Sequence, residues 1–389
     1  MKPPRSSICI IAQNAYGALS GGKKGHVGGA EHQTAFLARW LAARGHEVSL
    51  VTWDEDGLQT YIDGVRVVPM CSASDGIPGL RFFHPRLSSL MSALRRADAD
   101  IYYHNSAEYV TGLAALWCRK KGRNFVYSVA SDVACDVRLP VMHKAYERVL
   151  YRLGVRRADK VLVQTERQRQ LLQQGFSRDA VVMPMPCAGP SVEEFGTAPG
   201  PAPRTVCWVG RAASMKRLDW LLDIAERMPS VTFRLAVANT ENNPYAAPLH
   251  ARAQKLTNVR WHGTIGRDAI PELYRSTACL CCTSSYEGFP NTFLEAWSHG
   301  RPVVTSFDPD GLVIRRNLGS LAGSVEEFVQ RLDELFGNPS IWAEKAANAR
   351  NYYLENHPPE KVMPRMEEAL ISTRGTSAGF TSAITSGTA

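Results

Sequence analysis

A stretch dense in proline and glycine, "CAGPSVEEFGTAPGPAPR" from Cys187 to Arg204, interrupts this chain, and strand-like and helix-like segments alternate on both sides of it. That doubled alternation constrains the fold more than any other feature. Strands joined through helices pair in parallel, and a parallel sheet needs helices over both faces. Ahead of the interruption, "SSICIIAQ", "HEVSLVTW", "VRVVPM", "ADIYYHN", "NFVYSVA", "KVLVQT" and "AVVMPMP" read as strands. "AEHQTAFLARWLAARG", "RLSSLMSALRRA", "EYVTGLAALWCRKKG", His143–Lys160 and "ERQRQLLQQG" read as helices, and Gly17–Gly29 as a glycine-rich loop. The pattern restarts with the strands "TVCWVG", "VTFRLAVA", "VRWHG", "ACLCCTS" and "RPVVTS", separated by helices such as "RLDWLLDIAERM" and "PNTFLEAWSHG".

The expectation is an α/β protein of two tandem, Rossmann-like, doubly wound domains. Residues 1–187 form the first, 188–203 a linker and 204–345 the second; a last helix runs over about 358–374, and 375–389 form a disordered Ser/Thr/Gly-rich tail. The length of 389 residues fits two cores better than one. Ligands of such sheets bind beyond the carboxyl ends of the strands, and two domains face to face would line one central cleft.

Composition excludes several classes. No apolar run reaches membrane-spanning length, and the start "MKPPRSSICIIAQNAYG" lacks the long apolar region of a signal peptide. Nine cysteines are scattered through predicted elements, where they act as small hydrophobes, and "CLCC" has no second Cys/His pair to complete a zinc site. A reducing cytoplasm is the expected compartment. The net charge of +8 fits an anionic substrate or membrane surface as well as plain solubility. His143–Lys160 carries Lys144, Arg148, Arg152, Arg156, Arg157 and Lys160 among apolar residues: a solvated helix or a peripheral membrane contact. Nucleic-acid modules are absent.

Three stretches carry chemistry. In "SSYEGFPNTFLEAW", Glu287 precedes Gly288, Phe289 and Pro290, and Glu295 follows eight positions after Glu287 among apolar neighbours. A buried carboxylate is costly unless paired, so Glu295 is either bonded to an internal Arg or Lys or held for a polar ligand. Pro290 suits a first helical turn, whose N–H groups form an anion site together with Asn291 and Thr292. A sugar nucleotide presents the matching pyrophosphate and hydroxyls. In "VGRAASMKRLDWLL", Gly210 ends a strand, and Arg211 and Lys216 place two cations at a strand-to-helix turn, suited to a diphosphate or simply solvated. In "GGKKGHVGGAEHQ", Gly28 and Gly29 open a helix beside Lys23 and Lys24 without Walker or dinucleotide spacing. This is either a loop that closes over substrate or a plain flexible one.

Together these motifs and "YEGFPNTFLEAWSHGRPVV" resemble the family 4 retaining glycosyltransferases of the GT-B fold, over nearly the whole chain to about Arg350. The resemblance implies an enzyme of the hexosyltransferase type. It would move a sugar from a nucleotide diphosphate sugar to a saccharide or lipid-linked saccharide acceptor in glycan, polysaccharide or glycolipid assembly, without metal or other cofactor. It implies that Glu295 binds the donor's ribose hydroxyls and that Glu287 contacts the transferred sugar. Gly288 to Asn291 would face that sugar and the diphosphate, and Arg211 and Lys216 would hold the phosphates. Gly28 and Gly29 would belong to the loop that closes over donor and acceptor, and the last helix would cross back to the first domain. One departure stands out. In "YSVASDVACD", Ser131 occupies the place of the family's histidine while Asp132 keeps its aspartate. His104, at the preceding strand's end, is the candidate replacement. "DPD" at Asp308–Asp310 follows a strand and contains Pro309, so it reads as a turn rather than a metal motif. A non-catalytic nucleotide-sugar binding protein and a GT-B epimerase are the alternatives.

Overall fold

The computed structural model describes residues 5–21, 28–55, 57–78, 80–140, 142–197 and 204–372. The chain divides into two compact units, one of Met1–Met183 with Met363–Ala389 and the other of Pro184–Val362.

In the first unit, β1 (Ser7–Ile11), β2 (Glu47–Thr52), β3 (Tyr61–Ile62), β4 (Val65–Pro69), β5 (Ile101–His104), β6 (Asn124–Ser128), β7 (Lys160–Val163) and β8 (Val181–Val182) form one sheet. Its order is β3-β4-β2-β1-β5-β6-β7-β8. Among the described residues, only the β3–β4 pair is antiparallel. The second unit has β9 (Thr205–Arg211), β10 (Thr232–Ala238), β11 (Val259–Gly263), β12 (Cys279–Cys282), β13 (Val303–Thr305) and β14 (Gly319–Leu321), all parallel, in the order β11-β10-β9-β12-β13-β14. Central strands such as β1 and β12 are buried nearly throughout, as strands covered on both faces must be. Both sheets are doubly wound, each with one point where the strand order reverses: β1/β5 in the first, β9/β12 in the second.

Helices Tyr109–Lys121 and Ala145–Arg157 meet backbone to backbone. A Cβ on Gly112 would lie 2.1 Å from the Leu150 carbonyl oxygen, and one on Gly154 would lie 2.6 Å from the Thr111 carbonyl carbon. The basic helix read from the sequence is held here by two glycines, with Tyr151 and Val155 buried and Val149 exposed. Gly112→Ala is expected to lower the stability of this unit by about 1–3 kcal/mol through overpacking. Gly337→Ala, with nothing within 4 Å of its Cβ, should change stability by less than about 0.5 kcal/mol. Urea denaturation of the two variants checks the contrast.

Several boundaries differ from the sequence reading. Residues 188–197 pack on the second unit instead of linking freely, and 198–203 lie outside the described residues. Arg350 donates to the Ser298 and Pro190 carbonyls and lies 4.5 Å over the ring of Phe195, in the short helix Val192–Thr197. Tyr353 donates to the Cys187 carbonyl at 2.9 Å. These anchors lie on the helix Pro339–Asn356, which a boundary at 345 would cut. The chain rejoins the first unit at Met363, within the helix Pro359–Ile371. There the buried Glu367 carboxylate pairs with His46 at 2.8 Å and Arg44 at 3.3 Å, while Met363 and Leu370 join the core under β1 and β2. The loop expected at Gly17–Gly29 begins with the helix Tyr16–Ser20, and its Lys23 and Lys24, like the tail 375–389, lie outside the described residues. Among the described residues, no helix is long and apolar enough to cross a membrane.

Candidate functional site

The sequence motifs of the second unit converge on its strand-order reversal. β9 ends at Gly210 and Arg211, and β12 ends just ahead of Thr283. A side chain at position 210 would meet the Trp208 indole at 2.9 Å, so glycine keeps the end of β9 open. Trp208 donates from Nε1 to the Thr283 hydroxyl at 3.2 Å, and that hydroxyl donates to the Lys216 carbonyl at 2.7 Å. Arg217, in left-handed backbone conformation, donates to the Thr283 carbonyl at 2.7 Å and to the Ser306 hydroxyl at 2.9 Å. The loops after β9 and β12 are thereby laced into one rigid ledge.

On that ledge Lys216 and Glu287 form an ion pair, and the Ser284 hydroxyl donates to Glu287 Oε1 at 2.6 Å. Both charged side chains are mostly buried, at 20% and 13% exposure. Arg211 is exposed at the strand end and has no ion-pair partner among the described residues. The cluster joins a free cation, a paired cation and a carboxylate within a few residues of two strand ends.

Pro290 precedes the helix Asn291–Ser298 as its N-terminal cap, with ψ at 119°, rather than lying in the first turn as expected; the first turn starts at Asn291 and Thr292. Gly288 is buried, and the Phe289 ring turns inward, edge-on to Trp297 at 6.2 Å and beside His357 at 5.7 Å. Glu295, the apolar-flanked carboxylate, is buried. One oxygen pairs with Arg267 and the other accepts from the Tyr274 hydroxyl at 2.9 Å. Burial, then the Glu295 charge, holds the Tyr274 phenol well above its usual range, so it stays a donor. Arg267 is 53% exposed while Glu295 is 8% exposed. The sequence left Glu295 open between an internal Arg or Lys and a polar ligand, and pointed to neither of these two partners. The only signal for them was the need itself, since Arg267 comes from the turn before the helix Ile270–Arg275 and Tyr274 from that helix.

In the first unit, Gly28 precedes the helix Gly29–Ala43, and a Cβ there would lie 2.4 Å from a Glu31 carboxylate oxygen. The carboxylate therefore folds back over the helix start where glycine leaves room. His104 ends β5 and is 1% exposed; its Nδ1 lies 2.7 Å from the Ile11 carbonyl oxygen. Burial pushes its pKa down to about 4 against that bond, so the ring is neutral. Asp132 begins a four-residue helix after Ser131, and its carboxylate contacts Arg167 at 3.2 Å and Gln168 at 3.1 Å, tying β6 to the helix Glu166–Phe176. Asp308 accepts from the Val313 and Ile314 amides at 2.7 and 3.2 Å, so the "DPD" stretch is a turn whose carboxylate caps the next short helix.

Two doubly wound units with their motif residues at the strand-order reversals define the GT-B class of glycosyltransferase architecture. The family model described as Glycosyltransferase Family 4 matches residues 27–186, and the one described as Glycosyl transferases group 1 matches residues 203–338. The chain belongs to the family 4 type of GT-B glycosyltransferases. An uncharacterized glycosyltransferase of Haemophilus influenzae is 25% identical over 212 residues, 51% of this chain. The match spans 57% of that relative's length, under two thirds of it. The alpha-galactosylglucosyldiacylglycerol synthase of Streptococcus pneumoniae is 23% identical over 67% of this chain and 75% of its own. The crystal structure of Anabaena HepE in complex with UDP and glucose superposes with a TM-score of 0.74 at 18% identity, covering 95% of this chain and all of that one, a likeness of fold.

Proposed function

We propose that the chain transfers a sugar, with retention of anomeric configuration, from a nucleotide diphosphate sugar to an acceptor hydroxyl in the assembly of a glycan, polysaccharide or glycolipid. The observation that carries this reading is the meeting of Lys216 and Glu287, 71 positions apart, at the strand-order reversal beside the exposed Arg211. The reaction develops negative charge on the departing diphosphate. Arg211, Lys216 and the helix start at Asn291 supply positive potential there without a metal ion, preorganised by the laced loops. Gly288 to Thr292 offer backbone to the phosphates and sugar, Glu287 accepts from hydroxyls of the transferred sugar, and Glu295 exchanges Arg267 for the ribose hydroxyls. The acceptor hydroxyl attacks on the face the leaving group vacates. A basic helix with exposed Val149 supports a lipid-linked acceptor reached at a membrane surface.

A panel of UDP, GDP and ADP sugars screened by thermal shift, followed by NMR of the product's anomeric centre, tests the reading. An inverted anomer contradicts retention, an epimerised donor replaces transfer with epimerisation, and binding without turnover leaves a nucleotide-sugar binding protein. Glu295→Ala should weaken donor binding about 10- to 100-fold, the effect of losing a hydrogen bond to a charged group. A 2′-deoxyribose donor, lacking one of the hydroxyls, should lose less, and calorimetric titration of both donors decides it.

A further inference from the structure

In the second unit Phe289, the large side chain of the turn between Glu287 and the helix start at Asn291, is wedged between two other rings. Trp297 lies 6.2 Å away at 81°, and His357 lies 5.7 Å away at 45°. Tyr352 closes the set, 5.5 Å from Trp297 and 5.4 Å from His357. His357 does more than fill space. Its Nδ1 donates to the Met185 carbonyl at 2.8 Å, and its own carbonyl accepts from the Cys187 amide at 2.9 Å. The chain enters this unit at Pro184 and leaves it at Val362. One residue therefore fastens the entering segment to the leaving one and presents its ring to the turn after Glu287. The ring is 2% exposed, and burial pushes its pKa down to about 4, so it stays neutral and the Met185 bond sets its tautomer. Its Nε2, left as an acceptor, is buried with no hydrogen-bond partner among the described residues. The two jobs thus fall on different parts of the ring: Nδ1 bonds the segments, and the face meets Phe289.

Resting on the glycosyltransferase reading, we infer that His357 is a positioning residue for the donor's diphosphate and sugar: the face of its ring backs Phe289 and so holds the Gly288–Pro290 backbone where those groups bind. Gly288 has no side chain to anchor the turn, and Phe289 is only half-buried, so losing the ring on one side lets Phe289 and its backbone shift. A misplacement of about 1 Å in a positioning element costs up to about 10²-fold in rate. Glu295 stands on the helix Asn291–Ser298 and is held by Arg267 and Tyr274, so the nucleoside end of the donor is spared.

The test titrates the full chain calorimetrically with UDP-glucose, GDP-mannose and ADP-glucose, and with the matching nucleoside monophosphates, well below every variant's melting temperature. His357→Asn keeps an N–H for Met185 and removes the ring; His357→Phe keeps a flat ring and removes the N–H. His357→Asn should weaken the nucleotide sugar about tenfold or more and the monophosphate less than about threefold. His357→Phe should hold the nucleotide sugar within about threefold of wild type while melting at a lower temperature. Phe289→Leu added to His357→Asn should weaken it no further than the worse single variant, the mark of residues that act through one another. If His357→Asn does not fold, His357→Leu carries the same expectation. Nucleotide-sugar affinity within about threefold of wild type in that variant overturns the inference and leaves the enzyme reading intact. Equal losses in the ringless and Phe variants, or equal losses of nucleotide sugar and monophosphate, do the same, because they mark general damage to the unit. A wild-type chain that binds none of the three nucleotide sugars overturns both.

Discussion

Lys216→Ala is expected to lower turnover by about 10²- to 10³-fold, the effect of removing one preorganised charge from a developing anion. The side chain sits 80% shielded on a ledge whose position is set by the Thr283 and Arg217 hydrogen bonds. Its present partner, Glu287, would keep only Ser284, so the carboxylate proposed to hold the sugar also loses its anchor. The loss should fall mainly on kcat, because the charge on the diphosphate grows as the bond to the sugar breaks. Steady-state kinetics with a separately measured donor affinity distinguish the cases. Turnover within threefold of wild type would remove Lys216 from the proposed machinery. An unchanged kcat with a raised KM would reduce it to a ground-state phosphate contact.

Acidification should unfold the second unit before the first. His299 and His357 lie in the second unit and His104 in the first; burial pushes each from its ordinary 6.5 down to about 4. The unfolded chain therefore binds more protons between those two pH values, and stability falls as pH drops through that window. Each histidine accounts for a loss on the order of 2 kcal/mol by pH 5 and 3 kcal/mol by pH 4. Two of them approach the 5–15 kcal/mol that holds a typical domain together. In the first unit Glu108 has the opposite sign: raised above its usual range, it takes up its proton at higher pH when folded than when unfolded. Urea melts followed by tryptophan fluorescence from pH 7.5 to 4.5 should show the midpoint falling, and His357→Gln should flatten the slope. A constant midpoint down to pH 5 would contradict the assignment of buried neutral rings.

Much of this was legible in one dimension. Alternation of strand and helix announced two parallel sheets, and the family motifs announced the GT-B class. The short elements escaped: β3, β14 and the helices Tyr16–Ser20, Asp132–Cys135 and Val192–Thr197 are too brief for a period to emerge. The stretch before Thr197 looked like a free linker because its Pro and Gly content masks its anchors, which lie far along the chain at Arg350 and Tyr353.

Local order in the chain determined which residues are apolar every second or every fourth place, and so the architecture and the loops on which Glu287, Glu295, Arg211 and Lys216 stand. Which charges meet was decided only in three dimensions. Glu295 found Arg267 and Tyr274, Glu287 found Lys216 and Ser284, and the buried His104 Nε2 found no partner among the described residues. Backbone periodicity is a property of neighbours in sequence, whereas pairing energy depends on distance and burial, which strand order alone brings about.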